Sequence, residues 1–199
     1  MGAPPVLLFD LGGVVVDFRG AEGMNEVTDG AHGVDFCRDH WWRLPELEQL
    51  ERGAISTALF ADAFLREWSL DLERARFLDA FKHWVRGVYP GAPELLRLLA
   101  EKNRLACLSN LNTLHWERCV ELGVDGLFDA HFLSFELGAR KPDREVYAHA
   151  AEALDRPAAD IIFFDDVAAN VDAARAAGMR AFHVAKGDLR SALVDAGVL

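Results

Sequence analysis

The feature that most narrows the possible folds is a junction that recurs along the chain: a short, wholly apolar run that stops at a polar residue able to do chemistry. Val6-Leu7-Leu8-Phe9 stops at Asp10 and is soon followed by Gly12-Gly13. Leu105 to Leu108 stops at Ser109-Asn110, and Ile161 to Phe164 stops at Asp165-Asp166. Unbroken apolar runs of this length describe strands buried on both faces, and the glycines after the first one permit a tight, closely approached turn. Ala130 to Leu133 is a weaker strand candidate, and Arg180 to Val184 supplies a last one.

Helical stretches separate these runs. Pro93 suits the first turn of a helix carrying Leu95, Leu96, Leu98 and Leu99, and another helix runs from about Asn112 to Leu122 until Gly123 stops it. Asp143 is placed to cap a helix with Val146, Tyr147, Ala150, Ala151 and Leu154 on one face. An alanine-rich helix ends at Gly178, and Asp188 is placed to cap the last. Strands alternating with helices imply right-handed crossovers and a parallel sheet covered on both faces. The expected fold class is therefore α/β, a doubly wound parallel sheet of Rossmann-like type, whose ligands sit at the carboxyl ends of the strands.

Between the first junction and residue 87 the texture is different. Ser56 can cap a helix on which Phe60, Phe64 and Trp68 recur, while Phe77, Leu78, Phe81, Trp84 and Val85 mark another ending near Gly87. Residues 18–86 are thus expected to form a small all-helical cap inserted into a core of residues 1–17 and 87–199. The aromatics of the cap, Trp41 and Trp42 included, read as its own core, because a small helical unit needs large side chains to bury enough area.

Composition excludes several functions. A net charge of -11 with no run of Lys or Arg argues against a nucleic-acid partner or an acidic membrane surface, both of which need a basic footprint. No apolar run approaches the ~20 residues that cross a bilayer. Cys37, Cys107 and Cys119 are odd in number and irregularly spaced, and no targeting segment opens the chain, so a reducing, cytoplasmic setting is expected. His115 and Cys119, four apart on a helix, read as packing rather than as a zinc site.

The junction residues should converge on one edge of the sheet. Asp10, Asp165 and Asp166 facing one another would repel and raise one another's pKa unless a cation lay among them, and hard oxygen donors suit Mg²⁺. Lys141, just before a helix, can neutralise an anion and keep a carboxylate charged, while Ser109 and nearby main-chain amides can hold phosphate oxygens. This is equipment for phosphoryl transfer: a carboxylate attacks phosphorus, and water later cleaves the aspartyl phosphate.

The stretches Phe9-Asp10-Leu11-Gly12-Gly13-Val14, Leu108-Ser109-Asn110, Arg140-Lys141-Pro142 and Phe163-Phe164-Asp165-Asp166 resemble, in order and separation, the motifs of haloacid dehalogenase superfamily phosphatases. Two finer stretches, Glu51 to Ser56 and Leu133 to Pro142, are similar to bacterial α-D-glucose-1-phosphate phosphatases and to the phosphatase domain of soluble epoxide hydrolase. The resemblance implies that Asp10 is the nucleophile and a metal ligand, and that Ser109 and Asn110 bind phosphate. It implies further that Lys141 orients phosphate and nucleophile, and that Asp165, Asp166 and the Gly12 carbonyl complete a Mg²⁺ site. The substrate it implies is a small phosphorylated metabolite, a sugar phosphate with α-D-glucose 1-phosphate as first candidate, acted on by a monomer or homodimer.

One position departs from the pattern. Many of these phosphatases carry a general acid/base aspartate two residues after the nucleophile, where this chain has Gly12. Such proton transfer is typically worth ~10² to 10⁴ in rate. Three outcomes stay open: Asp17 or a cap residue substitutes, the leaving group needs little help, or the protein is a slow enzyme that mainly binds its ligand. A hydrolytic 2-haloacid dehalogenase, which lacks that acid and needs no metal, is the alternative enzyme.

Overall fold

The computed structural model describes residues 4–199, apart from the side chain of Trp42, whose expected place in the cap core lies outside the described residues. In chain order the strands are β1 (Val6–Phe9), β2 (Val16–Phe18), β3 (Val85–Val88), β4 (Leu105–Ser109), β5 (Ala130–Leu133), β6 (Ile161–Asp165) and β7 (Arg180–His183). The helices are α1 (Gly20–Val27), α2 (Val34–His40), α3 (Pro45–Glu51), α4 (Thr57–Glu67), α5 (Arg74–Lys82), α6 (Ala92–Ala100), α7 (Thr113–Glu121), α8 (Ser134–Leu137), α9 (Arg144–Ala153), α10 (Ala168–Ala176) and α11 (Leu189–Asp195).

The main sheet has five strands in the order β5-β4-β1-β6-β7, and every pairing is parallel. Alternate residues of each strand enter two separate cores. Leu7, Phe9, Leu105, Cys107, Ile162 and Phe164 pack with α6 and α11, whereas Val6, Leu8, Ala106, Leu108, Ile161 and Phe163 pack with α9 and α10. Burial on both faces explains why β1, β4 and β6 are apolar up to the polar residues at their C-terminal ends. Because the first junction strand lies centrally, between β4 and β6, the C-terminal ends of all three open on the same rim.

Helices α1 to α5 surround a third core in which Phe60, Phe64, Phe77, Phe81 and Trp84 are all buried. Phe64 and Phe77 stack with ring centroids 4.6 Å apart, and Phe81 meets Trp84 edge-on at 5.0 Å. Ser56 caps α4 by accepting from the Leu59 N–H, and Asp188 caps α11 by accepting from the Ser191 N–H.

Two local expectations are corrected. The helix expected to reach Gly87 stops at Lys82, and Val85–Val88 instead pairs antiparallel with Val16–Phe18 in a two-stranded ribbon. The ribbon carries both chain crossings between sheet and cap helices. Asp143 sits at the N-cap of α9 without using its side chain there; its Oδ2 instead accepts from Arg52 Nη2 at 2.8 Å.

Candidate active site

The turn after β1 determines how Asp10 is presented. Its N–H still bonds the Phe164 carbonyl at 2.8 Å, so its backbone belongs to the sheet edge, while its own Oδ1 accepts from the Leu11 N–H at 2.7 Å. The Leu11 carbonyl then accepts from the N–H groups of Val15 and Val16, both at 2.8 Å, folding the next residues into a compact turn. Gly13 has φ +75°, and a Cβ there would overlap the Asp166 carboxylate. Only glycine lets the first and last junctions approach this closely.

Asp10, Asp165 and Asp166 each offer a carboxylate oxygen, and these atoms lie within 4.8 Å of one another. Lys141 reaches into the cluster, with Nζ 2.9 Å from Asp10 Oδ1 and 2.6 Å from Asp165 Oδ2. The acids then divide. Asp165 is fully buried and also accepts from the Val167 N–H at 2.8 Å and from Asn170 Nδ2 at 3.1 Å on both oxygens. Asp10 and Asp166 face a cavity of about 560 Å³ that runs between the sheet rim and the cap.

The charges respond as expected for a buried cluster. Burial raises the Asp10 carboxyl; the Lys141 ammonium opposes this, and the Asp165 and Asp166 carboxylates add to it. Burial, with Asp165 next, pushes Asp166 up to about 6. Burial alone would lower Lys141, but the Asp10 and Asp165 carboxylates outweigh it and hold the ammonium above its ordinary value. Three acids against one ammonium leave an excess of negative charge that a divalent cation would neutralise, and an all-oxygen donor set suits magnesium.

Ser109 is buried and lines the cavity. The amide of Asn110 is used differently from what its position suggests: Oδ1 accepts from the Lys141 N–H and Nδ2 donates to the Lys141 carbonyl, both at 2.8 Å. That reciprocal pair fixes the lysine's backbone and leaves the Asn110 side chain engaged. Ser134 ties the same region together, donating to the Leu111 carbonyl and accepting from its N–H, both at 3.1 Å. Asn170 was missed by sequence reading; its signal is a position in the first turn of the helix that follows the paired acids.

On the cap side, Phe18, Gly20, Trp41 and Glu51 line the same cavity, joined by Val16, Val85, Leu111 and Cys119. Trp41 therefore serves both the cap core and the cavity wall. His115, expected to be packing, is buried: its Nε2 donates to the Phe81 carbonyl at 2.8 Å, and its Nδ1 accepts from Asn112 Nδ2 at 3.0 Å. The three cysteines are free and buried. Among the described residues, no helix is long and apolar enough to cross a membrane.

The two finer sequence stretches lie against each other at the cap–core seam. Glu51 Oε2 is 3.1 Å from Arg140 Nη2, Arg52 pairs with Asp143, and Gly53 is pressed on the Phe135 carbonyl so closely that a Cβ would overlap it.

Known proteins share this architecture. The chain is 48% identical over 182 residues to sesquiterpene phosphatase astK of Aspergillus oryzae, covering 89% of this chain and 88% of that protein. It is 30% identical over 177 residues to an enolase-phosphatase E1 of Pseudomonas aeruginosa, covering 78% of each. Among solved structures, the HAD family enzyme bt-2542 from Bacteroides thetaiotaomicron superposes with a TM-score of 0.81 at 24% identity, covering 97% of this chain and 99% of that one. The L-2-haloacid dehalogenase of Xanthobacter autotrophicus gives 0.72 at 20% identity, covering 98% and 84%. The family model for haloacid dehalogenase-like hydrolases matches residues 4–178, and with this sheet order and rim of acids the chain belongs to that family.

Proposed function

We propose that this protein is a magnesium-dependent phosphomonoesterase that works through a phosphorylated Asp10. The observation that carries the reading is Lys141 Nζ placed between Asp10 and Asp165 at 2.9 and 2.6 Å, with Asp166 at the same rim. Relatives named as phosphatases agree with it, and bt-2542 has been crystallised with magnesium and inorganic phosphate.

The geometry supports the following roles. Asp10 Oδ1 is held by the Leu11 N–H and Lys141, which leaves the other oxygen for attack on phosphorus. Lys141 favours the ionised form of Asp10 against the effect of burial and lies close enough to pair with a phosphoryl oxygen. The Ser109 hydroxyl binds a second oxygen, and Asn110 acts by fixing the Lys141 backbone. Asp10, Asp166 and the Gly12 carbonyl would hold a magnesium ion, with Asp165 beside them. When bound, that ion would polarise the phosphoryl oxygens and offset the negative charge of the cluster.

For the substrate, the sequence resemblance favours a sugar phosphate, with α-D-glucose 1-phosphate first. A second candidate class is the phosphate of an apolar alcohol such as an isoprenoid, favoured by the wall of Val16, Phe18, Trp41, Val85 and Leu111. Phosphate release should be measured from sugar phosphates and isoprenyl monophosphates with Mg²⁺ and with a chelator. Magnesium-dependent release supports the reading, and the better kcat/KM chooses the substrate class. Halide release from 2-haloacids that survives complete metal removal would make the protein a dehalogenase instead.

A further inference from the structure

Gly12 lies on the cavity wall where a carboxylate could serve the leaving group, and nothing in the local structure requires glycine there. A Cβ at this position would meet only Phe18 Cβ, at 3.6 Å. An alkyl ester still needs a proton at its departing oxygen and, later, a base for the attacking water. Asp10 and Asp166 belong to the charged cluster, and both ring nitrogens of His115 are engaged. Asp17 is outside the cavity lining, and its Oδ2 accepts from Arg19 Nε at 2.8 Å. Glu22 reaches the cavity from α1 but is only partly buried.

Glu51 differs from all of these. It closes α3, lines the cavity, is 7% exposed, and its Oε2 lacks a hydrogen-bond partner among the described residues. Arg140 Nη2 is 3.1 Å away but not aligned to donate, so the contact is an ion pair rather than a hydrogen bond. We propose that Glu51 is the catalytic acid and base of this protein, reaching from the cap to supply the proton transfer that residue 12 does not.

The proposal rests on the phosphomonoesterase reading, and the proton balance is simple. As an Asp10 oxygen bonds phosphorus and the ester P–O bond breaks, protonated Glu51 gives its proton to the departing alkoxide oxygen. The resulting Glu51 carboxylate then takes a proton from water while the water oxygen bonds phosphorus. Asp10 leaves as a carboxylate, inorganic phosphate is released, and Glu51 is protonated again. The groups facing Glu51 are Arg140 and Lys141 from the core loop, Glu48 on its own helix and Asp10 at the end of β1. Burial lifts Glu51 to about 7 against the opposing pull of Arg140 and then Lys141, so both protonation states are populated near neutral pH. Its placement is secured by the neighbouring residues, through the Arg52–Asp143 pair and the seating of Gly53 on Phe135.

A purely structural Glu51 would tie cap to core through Arg140 and nothing more. The two roles separate when Glu51→Gln is assayed with Mg²⁺ on an alkyl phosphate and on p-nitrophenyl phosphate, whose leaving group needs no proton. The expected result is a loss of ~10² to 10⁴ in the single-turnover rate of Asp10 phosphorylation by the alkyl ester. In that same step the loss on the nitrophenyl ester should be less than about tenfold, whereas hydrolysis of the phosphoaspartate, common to both esters, should slow for both and one limb of the pH–rate profile should disappear. Adding Gly12→Asp to Glu51→Gln should restore at least about tenfold of the alkyl-ester rate. If the glutamine variant fails to fold, Glu51→Asp, which withdraws the carboxylate by one methylene, should show the same split between esters. Equal losses on both esters in the phosphorylation step, a change confined to KM, or the same split in Glu22→Gln rather than in Glu51→Gln would overturn the assignment while leaving the phosphomonoesterase reading in place. A wild-type chain inactive on every phosphate ester would overturn both.

Discussion

Lys141 and Asp165 form an ion pair sealed from solvent, with Nζ to Oδ2 at 2.6 Å and side-chain exposures of 1% and 0%. Removing one member of such a pair leaves a charge without compensation, at a cost of about 3–5 kcal/mol. Lys141→Met should therefore lower the urea midpoint strongly in chelator, and Mg²⁺ should recover part of the loss by neutralising the stranded acids. Phosphate release should fall by ~10² to 10³ or more, the usual effect of deleting one preorganised electrostatic donor. Urea titrations with and without metal check the first statement, and steady-state assays check the second.

Asp10→Asn removes one negative charge from a crowded cluster without changing the side chain's shape. Turnover should drop by a factor on the order of 10⁴ or more, because the nucleophile is lost. Folding should be preserved or slightly strengthened, since Asp165 and Asp166 then face one fewer like charge. Thermal unfolding and phosphate release on the same sample test both halves, and retained turnover would refute Asp10 as nucleophile.

His115 predicts a pH dependence of stability. Burial drives its pKa from 6.5 down to about 4, with the hydrogen bond to the Phe81 carbonyl opposing. A histidine kept neutral in the fold contributes fully above its unfolded pKa, and that contribution fades as pH falls toward the folded value. Between pH 7 and pH 4 the wild type should lose about 3 kcal/mol through this group. His115→Gln should lack that part of the loss, so denaturant titrations of the pair should converge toward acid pH.

Gly53→Ala should loosen the seam between cap and core. At φ +67°, with the Phe135 carbonyl in the way, an alanine carries about 1–3 kcal/mol of backbone strain before the overlap is relieved. Tm should fall by ~2–4 °C for each kcal/mol. KM should rise and kcat should fall together, because the cap wall and the Glu51 held beside Gly53 both shift while the Asp10 and Lys141 contacts stay in place.

Strands β1, β4 and β6 were legible because each is buried on both faces, so local composition carries the message. Val85–Val88 was not legible for the opposite reason. It is a short edge ribbon of mixed burial, Trp84 and Val85 continue the helical spacing of Phe77 and Phe81, and its partner Val16–Phe18 lies on the far side of the cap helices. Ser56 could be recognised as a cap because its bond is to a residue three positions on, whereas Asp143 prefers an arginine that reaches it from the cap.

The sequence by itself determined the α/β class, the Mg²⁺-suited acids Asp10, Asp165 and Asp166, and their meeting at one sheet rim. Each of these follows from a few adjacent residues and from the single handedness of parallel crossovers. Only the tertiary structure decided that Asn110 clamps the Lys141 backbone, that Asn170 and Lys141 share Asp165, and that Glu51 enters the cavity beside Arg140. Those pairings join segments remote along the chain, and their energies depend on a burial that exists only once cap and core have closed on each other.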